Sequence, residues 1–152
     1  MCGRPLEIDS ADPEARHRVP FIIADDLASA GRVRSVSLQL TVDNLCSEDT
    51  LQIFLNGESL EEEPMERTHG MHHARMLGAD HTSSRPPHSG GPGLAMTLHI
   101  DLCKVRPKPG GNTLEFCLAA RPVGLGGGVR VHKVELAVNM GALYPSGHTA
   151  RL

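Results

Sequence analysis

Aromatic residues are scarce in this sequence of 152 residues. Trp is absent, Tyr144 is the single Tyr, and the three Phe residues are Phe21, Phe54 and Phe116. Sugar-binding platforms usually stack exposed aromatic rings on pyranose faces, and this chain has few rings for that purpose. The composition therefore argues against a sugar-binding platform of that kind.

Long apolar runs and an excess of positive charge are also missing. No run approaches the roughly 18 apolar residues of a membrane helix, and the formal net charge is -3 with scattered Lys and Arg. We therefore expect no membrane span and no nucleic-acid partner. The segment from Met1 to Pro5 lacks the apolar core of a secretory signal. Localisation stays open, since Met1 could equally be a gene-model boundary.

The four cysteines form no metal-binding pattern. Cys2, Cys46, Cys103 and Cys117 include no CxxC pair and no zinc spacing. Cys103 and Cys117 flank one predicted turn, and both fall in the polar-facing register of their strands. A cross-strand disulfide and two reduced thiols are both compatible with that placement, because sequence does not give the separation of the two Cα atoms.

Two sequence motifs that combine strand alternation with turn residues are the most informative features of the chain. They run from Thr50 to Gly57 and from Pro109 to Leu118, and each joins alternating apolar and polar residues to an Asn/Gly turn. Such a pattern is typical of a half-buried strand in an antiparallel sheet. The Asn and Gly residues are interpreted as turn chemistry rather than ligand contacts, because tight turns require positive φ.

Further alternating segments complete an all-β pattern. Strands are predicted at 19–24, 33–42, 94–102 and 129–138, and helical periodicity is nearly absent. The inward parity changes between Val131 and Val134, which predicts a β-bulge near His132 and Lys133. The predicted fold is all-β: a mostly antiparallel β-sandwich or jelly roll of about eight strands with one long irregular loop.

One domain is expected to occupy residues 19–140. A polar arm, 1–18, precedes it and a tail, 141–152, follows it. The alternating pattern is lost at 58–93, and a loop of this length inside a compact domain is usually functional or disordered. Glu61, Glu62 and Glu63 in this loop are interpreted as a solvated acidic run.

Several short motifs resemble galactose-binding-like jelly rolls, which serve as accessory modules of glycoside hydrolases and related carbohydrate-active proteins. The resemblance spans about 19–140. It rests on Ile23 to Leu27, Leu55-Asn56-Gly57, Pro109 to Asn112, Leu114-Glu115, and Val134-Glu135-Leu136. It implies a β-sandwich that binds glycan or braces an adjacent catalytic domain, and a structural Ca²⁺ is frequent in such folds.

Carboxylates near two strand ends are candidate calcium ligands. Asp25 and Asp26 end one predicted strand, and Asp49 lies in a neighbouring loop that also contains Asp43 and Glu48. Carboxylate oxygens suit Ca²⁺. The alternative is that these residues cap turns through backbone N–H groups. Apart from this structural Ca²⁺, the sequence indicates no cofactor.

Histidines in the long loop give a second candidate metal site. If residues 65–77 form a helical turn, His69 and His73 share a face and could bind Zn, Cu or Ni. The HExxH motif of zinc proteases is absent because Gly70 follows His69. A solvated loop is the alternative interpretation of all five histidines, which are His69, His72, His73, His81 and His88.

The sequence shows no identifiable catalytic constellation. There is no GxSxG elbow and no carboxyl pair that can be assigned to sugar hydrolysis. We therefore expect a non-catalytic accessory or binding module that contacts glycan or a parent catalytic domain. The alternatives are a purely structural or protein-interaction β-sandwich and, with less support, a metal-dependent jelly-roll enzyme.

Overall fold

The computed structural model describes residues 4–24, 27, 33–69, 95–125, 127–140 and 148–151. For His69 and for 148–151 only the backbone is described. All regular secondary structure in these ranges is β-strand. The ten strands are β1 (Leu6–Ile8), β2 (His17–Ile23), β3 (Val33–Asp43), β4 (Thr50–Leu55), β5 (Glu58–Ser59), β6 (Met65–His69), β7 (Ala95–Asp101), β8 (Gly110–Ala120), β9 (Val129–Met140) and β10 (His148–Arg151).

The strands form two antiparallel sheets. The larger sheet has the order β1-β9-β3-β7-β6, with β10 also paired to β9, and the smaller sheet has the order β2-β8-β4-β5. Alternate residues of both sheets point inward into one shared apolar core. The predicted all-β sandwich is therefore confirmed, with two more strands than expected.

The core is formed by the alternating positions that the sequence pattern picks out. On β3 the inward side chains are those of Val36, Leu38, Leu40 and Val42, and each has an exposed fraction of 1% or less. Phe116 at the centre of β8 is fully buried in the opposing sheet. Burial of such side chains supplies most of the stabilisation of a sandwich.

A β-bulge lies at His132, where the parity change predicts one. Thr41 of β3 pairs with Lys133 of β9, and the next residue, Val42, pairs with Val131. His132 is therefore the extra residue of β9. This insertion lets Val131 and Val134 both contact the core although they are three positions apart.

The first of the two motifs makes the turn that its composition predicts. Asn56 and Gly57 alone connect β4 to β5, and their φ angles are 52° and 87°. Positive φ at both positions of a two-residue connection is the type I′ arrangement that suits twisted antiparallel strands. In the second motif, only Gly110, at the start of β8, has a positive φ, of 86°, and Gly111 and Asn112 lie within β8, so the predicted turn at these two residues is wrong.

Strand pairing extends beyond the predicted 19–140 range. β1, in the N-terminal arm, pairs with Val129–Val131 of β9, and β10, in the C-terminal tail, pairs with residues 135–138 of the same strand. Ile8 of β1 is buried with an exposed fraction of 1%. A three-residue strand carries too few alternating positions to be detected from sequence.

Cys103 and Cys117 are free thiols, and of the two only Cys117 lies in a strand. Cys103 follows β7 and is exposed, whereas Cys117 lies in β8 and is buried. Cys117 lies in the outward-facing register of β8, as predicted, but it is buried because residues 12 and 13 cover that position. The Cys117 thiol donates to the carbonyl oxygens of Asp12 and Pro13 at 3.3 and 3.4 Å. Burial raises the pKa of this thiol above its ordinary value.

Candidate functional site

A cavity of about 390 Å³ lies beside the β4–β5 turn, where two segments cross between the sheets. One crossing segment runs from β5 to β6, and the other, 102–109, runs from β7 to β8. The volume falls within the range of small-molecule sites. The cavity is lined by Leu55, Asn56, Glu58, Lys104, Val105 and Arg106.

Asn56 fixes the turn that forms one wall of this cavity. Its Oδ1 accepts the backbone N–H of Thr113 at 2.9 Å, and its Nδ2 donates to Oδ1 of Asn112 at 2.9 Å. Asn112 is buried, and its Nδ2 in turn donates to the carbonyl oxygen of Lys108 at 2.7 Å. The two motifs at 50–57 and 109–118 are thus joined to each other by side-chain hydrogen bonds.

Glu63 fixes the opposite wall. Its carboxylate accepts the backbone N–H groups of Cys103 and Lys104, both at 2.7 Å, and of Val105 at 2.9 Å. Burial alone would raise the pKa of Glu63, but these three hydrogen bonds and the nearby Lys104 charge outweigh it, so the pKa lies below its ordinary value. The carboxylate therefore stays ionised and holds residues 103–105 in place.

The solvated interpretation of the acidic run holds for Glu61 and Glu62 and is wrong for Glu63. Glu61 and Glu62 are exposed, whereas Glu63 has an exposed fraction of 5%. A run of identical residues gives no sequence signal that one member turns inward. The donors that Glu63 satisfies lie some 40 positions further along the chain.

The charged groups around the cavity have both signs. The Lys104 Nζ donates to Glu62 at 3.0 Å, and this hydrogen bond raises the Lys104 pKa. Arg106 Nη1 lies 3.5 Å from the carbonyl oxygen of Leu27, and Glu58 is exposed. Cationic donors and a carboxylate acceptor can together bind hydroxyl groups, each of which both donates and accepts.

The structure places Asp49 in a buried ion pair at the far end of β4 from the cavity. Its Oδ2 accepts the Cys46 backbone N–H at 2.8 Å, and its Oδ1 lies 3.6 Å from Arg121 Nε. Both side chains are buried, with exposed fractions of 0% for Asp49 and 8% for Arg121. The capping contact that the turn interpretation predicts is present, and a guanidinium occupies the position next to the carboxylate that a cation would need.

The other predicted metal ligands fall outside what the structure describes. Asp25, Asp26 and His73 lie outside the described residues, and of His69 only the backbone at the end of β6 is described. Among the side chains that are described, no group of three or more His, Cys, Asp or Glu residues could hold a metal ion. Residues 65–69 form strand β6, so the helical turn that would place His69 and His73 on one face does not occur over these residues. The calcium hypothesis, and metal binding by these histidines, remain predictions from sequence.

Sequence reasoning missed the cations that line the cavity. Lys104, Arg106 and Lys108 alternate along a Pro- and Gly-rich segment that was interpreted only as a turn. Two of the three, Lys104 and Arg106, line the cavity. The available signal was the period-two basic pattern next to a predicted turn.

Comparisons with protein-family models, with curated proteins and with solved structures find no match to this chain. No helix long and apolar enough to span a membrane occurs in the described part of the chain.

Proposed function

We propose that this chain is a non-catalytic binding module that takes a hydroxyl-rich ligand, a glycan, in the cavity beside the β4–β5 turn. The observation that carries the proposal is the lining of that cavity. Arg106 and Lys104 supply donors, Glu58 supplies an acceptor, and Leu55 and Val105 supply an apolar wall. Four of the six described lining residues are polar or charged, which suits a ligand that is held mainly by hydrogen bonds.

Preorganisation of the cavity supports a binding role. Asn56 and Glu63 hold its two walls through hydrogen bonds to backbone groups that are distant in sequence. Because the walls are already ordered, a ligand loses less affinity to the cost of ordering them. The resemblance to galactose-binding-like accessory modules points to the same class of ligand. None of the described residues that line the cavity is aromatic, so hydrogen bonding rather than ring stacking would hold the sugar.

The carboxylates around the cavity support a non-catalytic role. Hydrolysis of a glycosidic bond typically uses two carboxyl groups roughly 5 to 9.5 Å apart on either side of the bond. Among the residues that the structure describes, Glu58 is the one carboxylate that lines the cavity. Glu63, behind the wall, is fully engaged by three backbone N–H groups.

Calorimetric titration of the protein against a broad panel of neutral and acidic glycans tests the proposal. We expect saturable binding of at least one glycan, with an affinity that depends on the residues lining the cavity. Flat titrations across the whole panel would remove glycan binding as the function.

A protein-interaction role is the second candidate, and one observation favours it. Val123 is fully exposed at the tip of the loop after β8. Arg121 anchors that loop by donating to the carbonyl oxygens of Gly127 and Asn44 at 2.9 and 3.0 Å. An anchored apolar side chain could supply one contact to an adjacent domain, and neighbouring surface would have to complete the patch. In that case Val123→Ser would weaken association with such a domain and leave glycan titrations unchanged.

A further inference from the structure

The outward face of the smaller sheet carries a glutamate that is almost completely shielded from solvent. Glu115 of β8 lies between Arg18 of β2 and Phe54 of β4 in the strand register. Its neighbours along β8, Leu114 and Phe116, point into the core, so its own side chain points away from it. Even so, the Glu115 side chain has an exposed fraction of only 8%.

Two arginines shield this carboxylate. Arg18 Nε donates to Oε1 of Glu115 at 2.9 Å, and Arg16 Nη1 donates to Oε2 at 3.1 Å. The Arg16 guanidinium also lies over the Phe54 ring, 3.9 Å from its centroid. Glu115 thus holds two like charges close together, and the three ionised groups carry a net charge of about +1.

Most donors of the two guanidinium groups remain available. A guanidinium has five N–H donors, and each arginine uses one of them on Glu115. The side chains of Arg16 and Arg18 have exposed fractions of 42% and 72%, so the remaining donors face solvent. Asp12 and Glu14 belong to the segment that covers Cys117 on this face, yet neither forms an ion pair with these arginines in the described structure.

We propose that Arg16 and Arg18 form a binding site for a carboxylate group, with Glu115 as the residue that positions both. Planar guanidinium donors match the two oxygens of a carboxylate, and the contact with Phe54 restricts one of the two groups in advance. The ligand class is a uronic acid sugar. The sugar part of this assignment rests on the proposed function, whereas the carboxylate part rests on the arginines alone.

Titration of the arginine side-chain N–H signals by NMR, with glucuronate and with glucose as probes, tests this inference. We expect glucuronate to shift the Nε–Hε signals of Arg16 and Arg18 and glucose to leave them unchanged. Arg18→Gln should weaken glucuronate binding by at least about tenfold, since a hydrogen bond to a charged group is lost. Arg18→Lys, which keeps the charge but loses the planar fork, should also weaken it. Arg130→Gln is the matched control, because Arg130 is an exposed arginine paired to Glu7 on the other sheet.

Several results would overturn the inference. They are equal shifts with glucose and glucuronate, no shift with either, or unchanged glucuronate affinity in the Arg18→Gln protein. Arg18 is largely exposed, so its variants should fold, and circular dichroism checks that they do. Arginine signals that do not respond to glucuronate, in a protein whose cavity binds neutral glycans, would defeat this site and leave the proposed function intact. Glucuronate binding that depends on Arg18, with no glycan bound at the cavity, would support the carboxylate site and remove the proposed function of the cavity.

Discussion

At the scale of single residues, Glu63 is the side chain on which the cavity wall depends most. Glu63→Gln keeps the shape but replaces one acceptor oxygen by an NH₂ group that faces backbone donors. We expect the free energy of unfolding to fall by about 1–3 kcal/mol, the range for leaving buried hydrogen-bonding groups unpaired. Urea denaturation of the wild-type and Glu63→Gln proteins at neutral pH measures this change in the free energy of unfolding.

The pH dependence of stability gives a second measure of the contribution of Glu63 to the free energy of unfolding. The pKa of Glu63 is lower in the folded protein than its ordinary value of 4.5. Its contribution is therefore complete above the unfolded pKa and is lost as the pH falls through the folded pKa. Glu63→Gln should reduce this acid-induced loss. Glu62→Gln is the control, since the Glu62 side chain is 83% exposed, and an equal effect of both variants would contradict the assignment.

At the scale of the secondary-structure elements, the β4–β5 turn depends on one glycine. Gly57 has a φ of 87°, a region that L-residues occupy at a cost of roughly 1–2 kcal/mol. Gly57→Ala should lower the free energy of unfolding by about that amount and loosen the cavity wall. Gly111→Ala is the matched control, because a Cβ there meets nothing within 4 Å and the φ of Gly111 is not positive. Equal stability of the two variants, measured by urea denaturation, would argue against a type I′ turn.

Local patterns in the sequence predict most of these elements. The alternation of β3, the turn at Asn56-Gly57 and the bulge at His132 each depend on residues that are close together in the chain. Three other features do not depend on nearby residues: the inward orientation of Glu63, the burial of Cys117 under residues 12 and 13, and the pairing of β1. Each depends on a partner that is far away in sequence, and a single sequence gives no information on such pairings.

The residues of the cavity also divide into those that local sequence can place and those that depend on distant contacts. Asn56 could be placed at a turn from sequence, and the structure shows that this turn forms a wall of the site. Arg106 and Lys104 reach the cavity only because the segment after β7 crosses to the other sheet. The aspartates and histidines that the sequence suggests as metal ligands depend on residue type and on an assumed local conformation, which indicate chemistry but not position in the fold.

At the scale of the whole molecule, the N-terminal segment is part of the sandwich. Ile8 of β1 is 1% exposed, and β1 pairs with one end of β9. Ile8→Ala should lower the free energy of unfolding by about 2–5 kcal/mol, as for other buried isoleucines. Ile22→Ala is the matched control because Ile22 is 80% exposed, and a change within about 0.5 kcal/mol is expected there. A small effect of Ile8→Ala in thermal and urea denaturation would show that the arm is dispensable.

The molecule thus offers separate surfaces for separate contacts. The cavity lies beside the turn that follows β4, and the arginine pair lies on the outward face of the smaller sheet. The exposed tip at Val123 follows β8 at the end where β4 begins. Such a separation would let an accessory module contact a ligand and an adjacent domain at the same time.

The dissociation constant of the tightest glycan for matched variants tests the central claim most directly. Arg106→Gln removes a charged donor from the cavity, and we expect binding to weaken about tenfold, the equivalent of one hydrogen bond to a charged group. Lys133→Gln removes an exposed cation from the larger sheet and should leave the dissociation constant unchanged. Equal dissociation constants for the wild-type and Arg106→Gln proteins would contradict binding in this cavity.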